Sequence, residues 1–407
     1  MVWHAKTKGA ALILLVVCEA FSLSLWFSAT AVIPVLKLNF AINDARASLF
    51  SSIVAVGYVA GTLISALLGL ADRLPPRLFF MAAAFIAAAG NAGILLFEPT
   101  SEFVILLRFA TGMCIAGLYP VGMKIASSWA DGDSGFLIGT IVGGLTLGAA
   151  VPHLLNALGS LNWHFTLITT SMLASTAGLL INTVELGPAH GKTPHFQPSA
   201  VFKAWTIKPI RFANFGYVGH LWELYAMWAW IAVFLHASFV AAVGGNSSAI
   251  ERWASLTTFA VIGVGAFTSV VIGRLSDFLG RTAITACLMV ISGACALIVG
   301  PLFGANPWLV AAVCLLWGAA IVPDAPQTSA CIIELSDSSY IGTMLTVQTC
   351  AGFMLTLVPI HLVPSLVEAI GWQYAFMPLA IGPMLGALFM WKLRSLPGAA
   401  RLARGNL

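Results

Sequence analysis

The chain has 407 residues, of which 59% are hydrophobic and only 8% charged, with a formal net charge of +4. A water-soluble domain carries roughly 25% charged residues, so this composition excludes a soluble globular protein and implies a chain solvated by the lipid bilayer. The positive charges are scattered with no basic run, which argues against a nucleic-acid partner. The seven cysteines lie in apolar segments without Cys-x-x-Cys spacing, which argues against disulfides, a metal site or a metal cofactor.

A membrane-spanning helix needs roughly 20 apolar residues. Twelve such runs follow one another, at 10–34, 48–70, 78–97, 103–129, 135–158, 164–184, 211–237, 252–273, 282–303, 307–333, 339–362 and 372–393. The first follows Lys6 and Lys8 but is longer than a signal-peptide core and lacks a clear cleavage site, so it reads as a retained helix. The longest polar connection, 185–210, contains Gly187-Pro188, Thr193-Pro194 and Gln197-Pro198. It reads as a cytoplasmic linker between one six-helix bundle at 1–184 and a second at 211–407. With the N-terminus inside, the inner segments hold fourteen of the Lys and Arg residues and the outer loops only Lys37, Arg46 and Arg252. Both termini are therefore expected in the cytoplasm, and short loops suggest a bacterial inner-membrane protein.

The two halves align. Glu19 and Glu223 are 204 residues apart, as are Trp26 and Trp230, and Pro120 and Pro323 are 203 apart. Ile138-Gly139-Thr140 returns as Ile341-Gly342-Thr343, again at 203. A near-constant offset argues for an internal repeat, two bundles related by an axis along the membrane normal, with a binding site between them near the midplane.

Two charged turns fall at the same offset: Gly69-Leu-Ala-Asp72-Arg73-Leu-Pro-Pro-Arg77 and Gly273-Arg-Leu-Ser-Asp277-Phe-Leu-Gly280-Arg281. They resemble the signature loops of the major facilitator superfamily (MFS) of secondary transporters. The first copy departs from the pattern at Pro75-Pro76. The resemblance implies an all-α integral membrane fold of 12 transmembrane helices in two pseudo-symmetric bundles, working by alternating access. It also implies a cytoplasmic gate built from Gly69, Asp72, Arg73, Arg77, Gly273, Asp277 and Arg281. Arg108 followed by a Gly-rich stretch resembles a second signature, on span 4 of proton-coupled members. The Gly-rich span 5 is similar to that of antiporter and nitrate-porter branches, but it lacks the antiporter Gly-Pro pair, and no Arg stands mid-span in spans 2 and 8 as nitrate porters require.

An ionisable side chain at lipid depth is costly, and by default it faces a cavity or a partner. Glu19, Glu223, Asp324 and Arg108 are the candidates for proton coupling, with H+ as the expected coupling ion. Glu19 and Trp26 share a face of span 1, and His220, Glu223, Met227 and Trp230 share a face of span 7. Span 10 carries Pro323-Asp324-Ala325-Pro326-Gln327, where prolines free backbone carbonyls. Symmetry suggests that Asp324 pairs with Lys124. Trp26, Tyr58, Lys124, His220, Met227, Trp230, Gln327 and Gln348 are the candidate substrate ligands. Ser51, Ser65, Thr146 and His153 are further polar liners, or simple helix–helix hydrogen bonds.

No Walker-type loop, HExxH or GxSxG motif is present, so neither an ATP-driven pump nor an enzyme is indicated. The expected function is secondary active transport of a small organic solute by alternating access, coupled to protons. Arg108, Lys124 and His220 favour an organic anion or zwitterion. Glu19 and Glu223 with Trp26, Trp228 and Trp230 suit the alternative, proton-coupled efflux of amphipathic cations. A non-transporting receptor is the remaining class, and the expected state is a monomer.

Overall fold

The computed structural model describes residues 7–40, 42–131, 133–159, 162–188, 196–337 and 339–405. Lys6, Lys192 and Thr193-Pro194, and the side chains of Asp72 and Arg404, lie outside what is described. Among the described residues, twelve helical spans are long and apolar enough to cross a membrane. They are Lys8–Phe27, Asp44–Leu68, Pro76–Leu96, Glu102–Ser127, Gly135–Leu158, Trp163–Thr183, Lys208–Val243, Ser248–Leu279, Arg281–Val299, Pro307–Leu335, Ile341–Ile370 and Trp372–Arg394, here spans 1 to 12. Both ends of the described chain lie on one face, called the terminal face; the opposite one is the distal face.

Spans 1, 4 and 10 are interrupted where the sequence cannot sustain a helix, and span 12 passes through a 3-10 turn at Met377–Ala380. Span 1 ends at Phe27 and continues through a 3-10 turn, Thr30–Val32, into Ile33–Phe40. Span 4 breaks between Ile115 and Tyr119, with Gly117 in the gap and Pro120 opening the next turn. Span 10 breaks between Ile321 and Asp324, with Pro323 as the N-cap. Proline lacks an N–H and fixes φ, so it begins a helix better than it continues one. The two prolines thus break spans 4 and 10 at matching places in the two bundles.

Glycines set the closest approaches. A Cβ on Gly57 or Gly112 would collide with the backbone of the facing helix, at Phe109 O and Val54 O, so spans 2 and 4 pack backbone to backbone. Between the bundles, spans 5 and 8 do the same. A Cβ on Gly139 would sit 2.6 Å from Ser269 O, and one on Gly273 would sit 2.8 Å from Gly135 O. Spans 2 and 11 form the other seam, where Ser52 Oγ and His361 Nε2 are 3.0 Å apart near the distal face. Span 1 also meets span 7 across the bundle boundary, through Phe27 against Tyr225 and Trp228.

Candidate functional site

The central cavity lies where the bundles meet, and its volume is about 80 Å³. That is room for a few waters, whereas solute sites occupy roughly 300–1,000 Å³. The bundles must move apart to admit a solute. Seven aromatic side chains line the cavity: Trp26, Tyr58, Tyr119, Tyr217, Tyr225, Trp228 and Phe353. They pack across the boundary, with Trp26 5.4 Å from both Tyr225 and Phe353, and Tyr58 4.7 Å from Phe353. Thr146, Ser329 and Thr349 add hydroxyls, and among the described residues no Asp, Glu, Lys, Arg or His lines the cavity. The indole N–H of Trp228 is buried and has no hydrogen-bond partner among the described residues.

Of the expected substrate ligands, Trp26 and Tyr58 line this cavity, while Lys124, His220, Met227, Trp230, Gln327 and Gln348 do not. Span 7 turns a different face to the cavity from the one its acid suggests. Tyr217, Leu224, Tyr225 and Trp228 face inward. Glu223 instead faces its own bundle, accepting from Ser292 Oγ at 2.9 Å and Trp317 Nε1 at 2.8 Å. Trp230 donates to the Ile360 carbonyl at 2.8 Å, tying span 7 to span 11. Gln348 accepts from Ser329 Oγ at 3.2 Å, one shell behind the wall. Tyr119, Tyr217, Tyr225 and Phe353 were not expected at the site. Their signal was present, since Tyr119 abuts the Pro120 break and Tyr217, Leu224 and Trp228 recur at helical spacing.

The other candidate acids lie close behind the wall. Glu19 is fully buried, and among the described residues neither of its carboxylate oxygens has a hydrogen-bond partner. Its carboxylate presses on the bare Cα of Gly122 in span 4, next to the break, and its Cβ would be 3.3 Å from a Cβ on Gly144 in span 5. Asp324 does not pair with Lys124, as symmetry had suggested. Its Oδ1 is 2.5 Å from Nδ1 of His220, and both residues are buried. Asp324 opens the second half of span 10 beside the lining residues Ala325 and Pro326, and so turns towards span 7. Lys124 is drawn the other way, towards the terminal face, where its Nζ donates to the Ala71 carbonyl at 2.7 Å. It therefore belongs with the first signature loop.

Arg108 is fully buried. Its guanidinium donates to the carbonyls of Leu25 at 2.8 Å, Trp26 at 2.5 Å and Phe50 at 3.1 Å, and to Ser28 Oγ at 3.2 Å. The break in span 1 frees the Leu25 and Trp26 carbonyls, and five donors in one plane let Arg108 reach them together with Phe50 of span 2. Ser28 in turn bonds Asn91 at 2.6 Å, which holds spans 3 and 6 to the same point. No carboxylate touches Arg108 among the described residues, so its visible work is to clamp the bend of span 1.

The two signature loops fold differently. Gly69 has φ +62° and caps span 2, whereas Gly273 is helical and packs on span 5, the turn falling later at Gly280, φ +95°. In the second loop Arg281 is the centre. It donates to Asp277 Oδ1 at 2.7 Å, to Glu334 Oε1 at 2.8 Å and to Gln327 Oε1 at 3.0 Å. Gln327, expected at the substrate site, is thus a gate residue, and it also accepts from Ser276 Oγ at 2.5 Å. Asp277 faces the other bundle: a Cβ on Gly135 would lie 2.6 Å from both its oxygens. Gly135 is in the first turn of span 5, where exposed N–H groups favour an anion. In the first loop Arg77 reaches the Asn182 carbonyl at 3.5 Å.

Comparison with known proteins agrees with this architecture. The profile of the Major Facilitator Superfamily matches residues 13–250. The solved structure of the nucleoside transporter NupG is similar over 94% of this chain and 99% of its own, with a TM-score of 0.71 and 16% identity. That of the proton:xylose symporter XylE is similar over 95% of this chain and 96% of its own, with a TM-score of 0.67 and 15% identity. No match was found among curated protein sequences. Twelve spans in two bundles, a cavity between them and the profile match lead to one conclusion: the chain belongs to the Major Facilitator Superfamily and is a secondary transporter, not an enzyme.

Proposed function

We propose that the protein carries a small, uncharged, ring-bearing organic solute across the bacterial inner membrane by alternating access, coupled to protons, as a monomer with both termini in the cytoplasm. The observation that carries this reading is the cavity wall. Seven aromatic rings and a few hydroxyls meet there, and among the described residues no charged side chain does. Aromatic faces bind ring faces and C–H groups, and they leave an anion or zwitterion without a counter-charge. The cations that favoured an organic anion are engaged elsewhere, Arg108 on the bend of span 1 and Lys124 on the first loop. The two structural relatives are described as carrying a nucleoside and xylose, both uncharged solutes.

Glu19 is the residue we assign to proton coupling. It is buried and unpartnered, and it packs where spans 1, 4 and 5 meet. A carboxyl in such a place changes its proton affinity when the bundles rock and water reaches it. Asp324 is the second acid we assign to coupling, and its contact with His220 holds the break of span 10 to span 7. Glu223 has its hydrogen bonds filled inside the bundle and serves packing.

Efflux of amphipathic cations is the second reading, because an aromatic wall also binds cations. Uptake into proteoliposomes separates the readings, with nucleosides, pentoses, carboxylates and quaternary amines offered one at a time. Movement of uncharged ring solutes alone supports the proposal; movement of carboxylates or quaternary amines alone overturns it.

A further inference from the structure

The chain beyond span 12 is bound to the gate. Residues Pro397–Gly405 form a 3-10 helix. Three residues per turn place every third side chain on one face, and Leu396, Ala399 and Leu402 fall on it. Ala399 and Leu402 are fully buried, in a hydrophobic cluster separate from the main core. That cluster also holds Ala200 and Ala204 of the linker and Ile332 and Leu335 of span 10. The face is thus seated in an apolar groove at the terminal end of the second bundle.

The segment ends on a polar contact. Ala403 takes φ +44°, a conformation that alanine rarely adopts. The turn aims its N–H at Glu334 Oε2, at 2.9 Å. The other oxygen of Glu334 accepts from Arg281, which holds Asp277, which faces the start of span 5 in the other bundle. A continuous chain of charge-assisted hydrogen bonds therefore runs from the backbone of the C-terminal segment to the contact between the bundles.

We propose that the C-terminal segment is a brace on the terminal-face gate, whose docking on Glu334 holds Asp277 against span 5 and favours the conformation closed on that face. Undocking leaves Glu334 and Arg281 free to reorient and weakens the hold of Asp277 on the first bundle. Opening of the terminal face then becomes easier without any change at the solute cavity.

Hydrogen–deuterium exchange of the full-length protein in nanodiscs tests this without any solute. Leu402→Asp expels the segment from its groove and touches neither Arg281 nor Asp277. Ala403→Pro removes the donor and cannot hold φ +44°, so it releases the contact with Glu334 while leaving the buried Leu402 in place, and Ala403→Gly keeps the donor while relieving the backbone. The brace predicts about tenfold faster exchange at residues 135–143 of span 5 in both of the first two variants, the scale of one lost hydrogen bond to a charged group. It predicts wild-type exchange there for Ala403→Gly. Peptides from the distal half of span 2, residues 44–58, report that the fold is kept. Should Leu402→Asp unfold the chain, Ala403→Pro carries the test. Faster exchange confined to residues 331–336 and 396–405, with span 5 unchanged, overturns the proposal.

Discussion

The carboxylate of Glu19 lies against the bare Cα of Gly122, with no room for a Cβ between span 1 and span 4. The contact joins a buried acid to the helix turn that follows the span 4 break, three residues after the cavity-lining Tyr119. Movement at that break and movement of the acid are therefore linked. Gly122→Ala is expected to displace the Glu19 side chain, slowing transport roughly tenfold, because side-chain displacement at the site alters both the acid's surroundings and the wall. Gly9→Ala, where no atom lies within 4 Å, is the matched control and leaves the rate unchanged.

Arg108 is predicted to be a structural clamp. Arg108→Lys keeps the charge but exchanges a planar fork for a point donor that cannot reach four acceptors on spans 1 and 2. Thermal unfolding in detergent should show a loss on the order of 3 kcal/mol. The ratio of protons to solute in the surviving protein should not change. An altered ratio at unchanged stability would assign Arg108 to coupling instead.

Trp228 and Trp230 separate binding from packing. Trp228 lines the cavity with an unpartnered N–H, whereas Trp230 spends its N–H on Ile360. Trp228→Phe should raise KM about tenfold for a solute with an acceptor to offer, as expected when one buried hydrogen bond is lost. Trp230→Phe should lower the melting temperature and leave KM within about twofold. The reverse pattern would mean that span 7 presents the other face during transport.

Much of this architecture was legible in the sequence. Twelve apolar runs gave the spans, because lipid demands length and apolarity of every crossing segment. Pro120 and Pro323 marked two breaks at one repeat offset, and proline's missing donor makes that mark local. The site was less legible. Glu223 drew attention to its own face of span 7, yet Ser292 and Trp317, far along the chain, satisfy it inside the bundle. Gln327 and Lys124 looked like ligands because they are polar and deep, but they are drawn to the gate by Arg281 and Ala71, partners that no periodicity reveals. Aromatic side chains carry the wall, and in a membrane protein an aromatic on a helix reads equally well as packing.

The second gate loop gives a prediction independent of solute. Arg281→Lys keeps one charge but cannot hold Asp277, Gln327 and Glu334 together. Cross-linking or exchange between spans 5 and 8 on the terminal face should report looser closure, with about tenfold faster exchange at residues 269–277. Unchanged protection there would show that the glycine contacts alone hold the seam.

The most direct test of the account is proton movement driven by an uncharged solute, in proteoliposomes with an internal pH dye. The wild type should acidify or alkalise the lumen when a nucleoside or pentose is added. Glu19→Gln should abolish that signal while retaining solute exchange without net transport, and Glu223→Gln should keep both. Proton movement that survives Glu19→Gln and disappears in Glu223→Gln would contradict the assignment of Glu19 as the coupling acid.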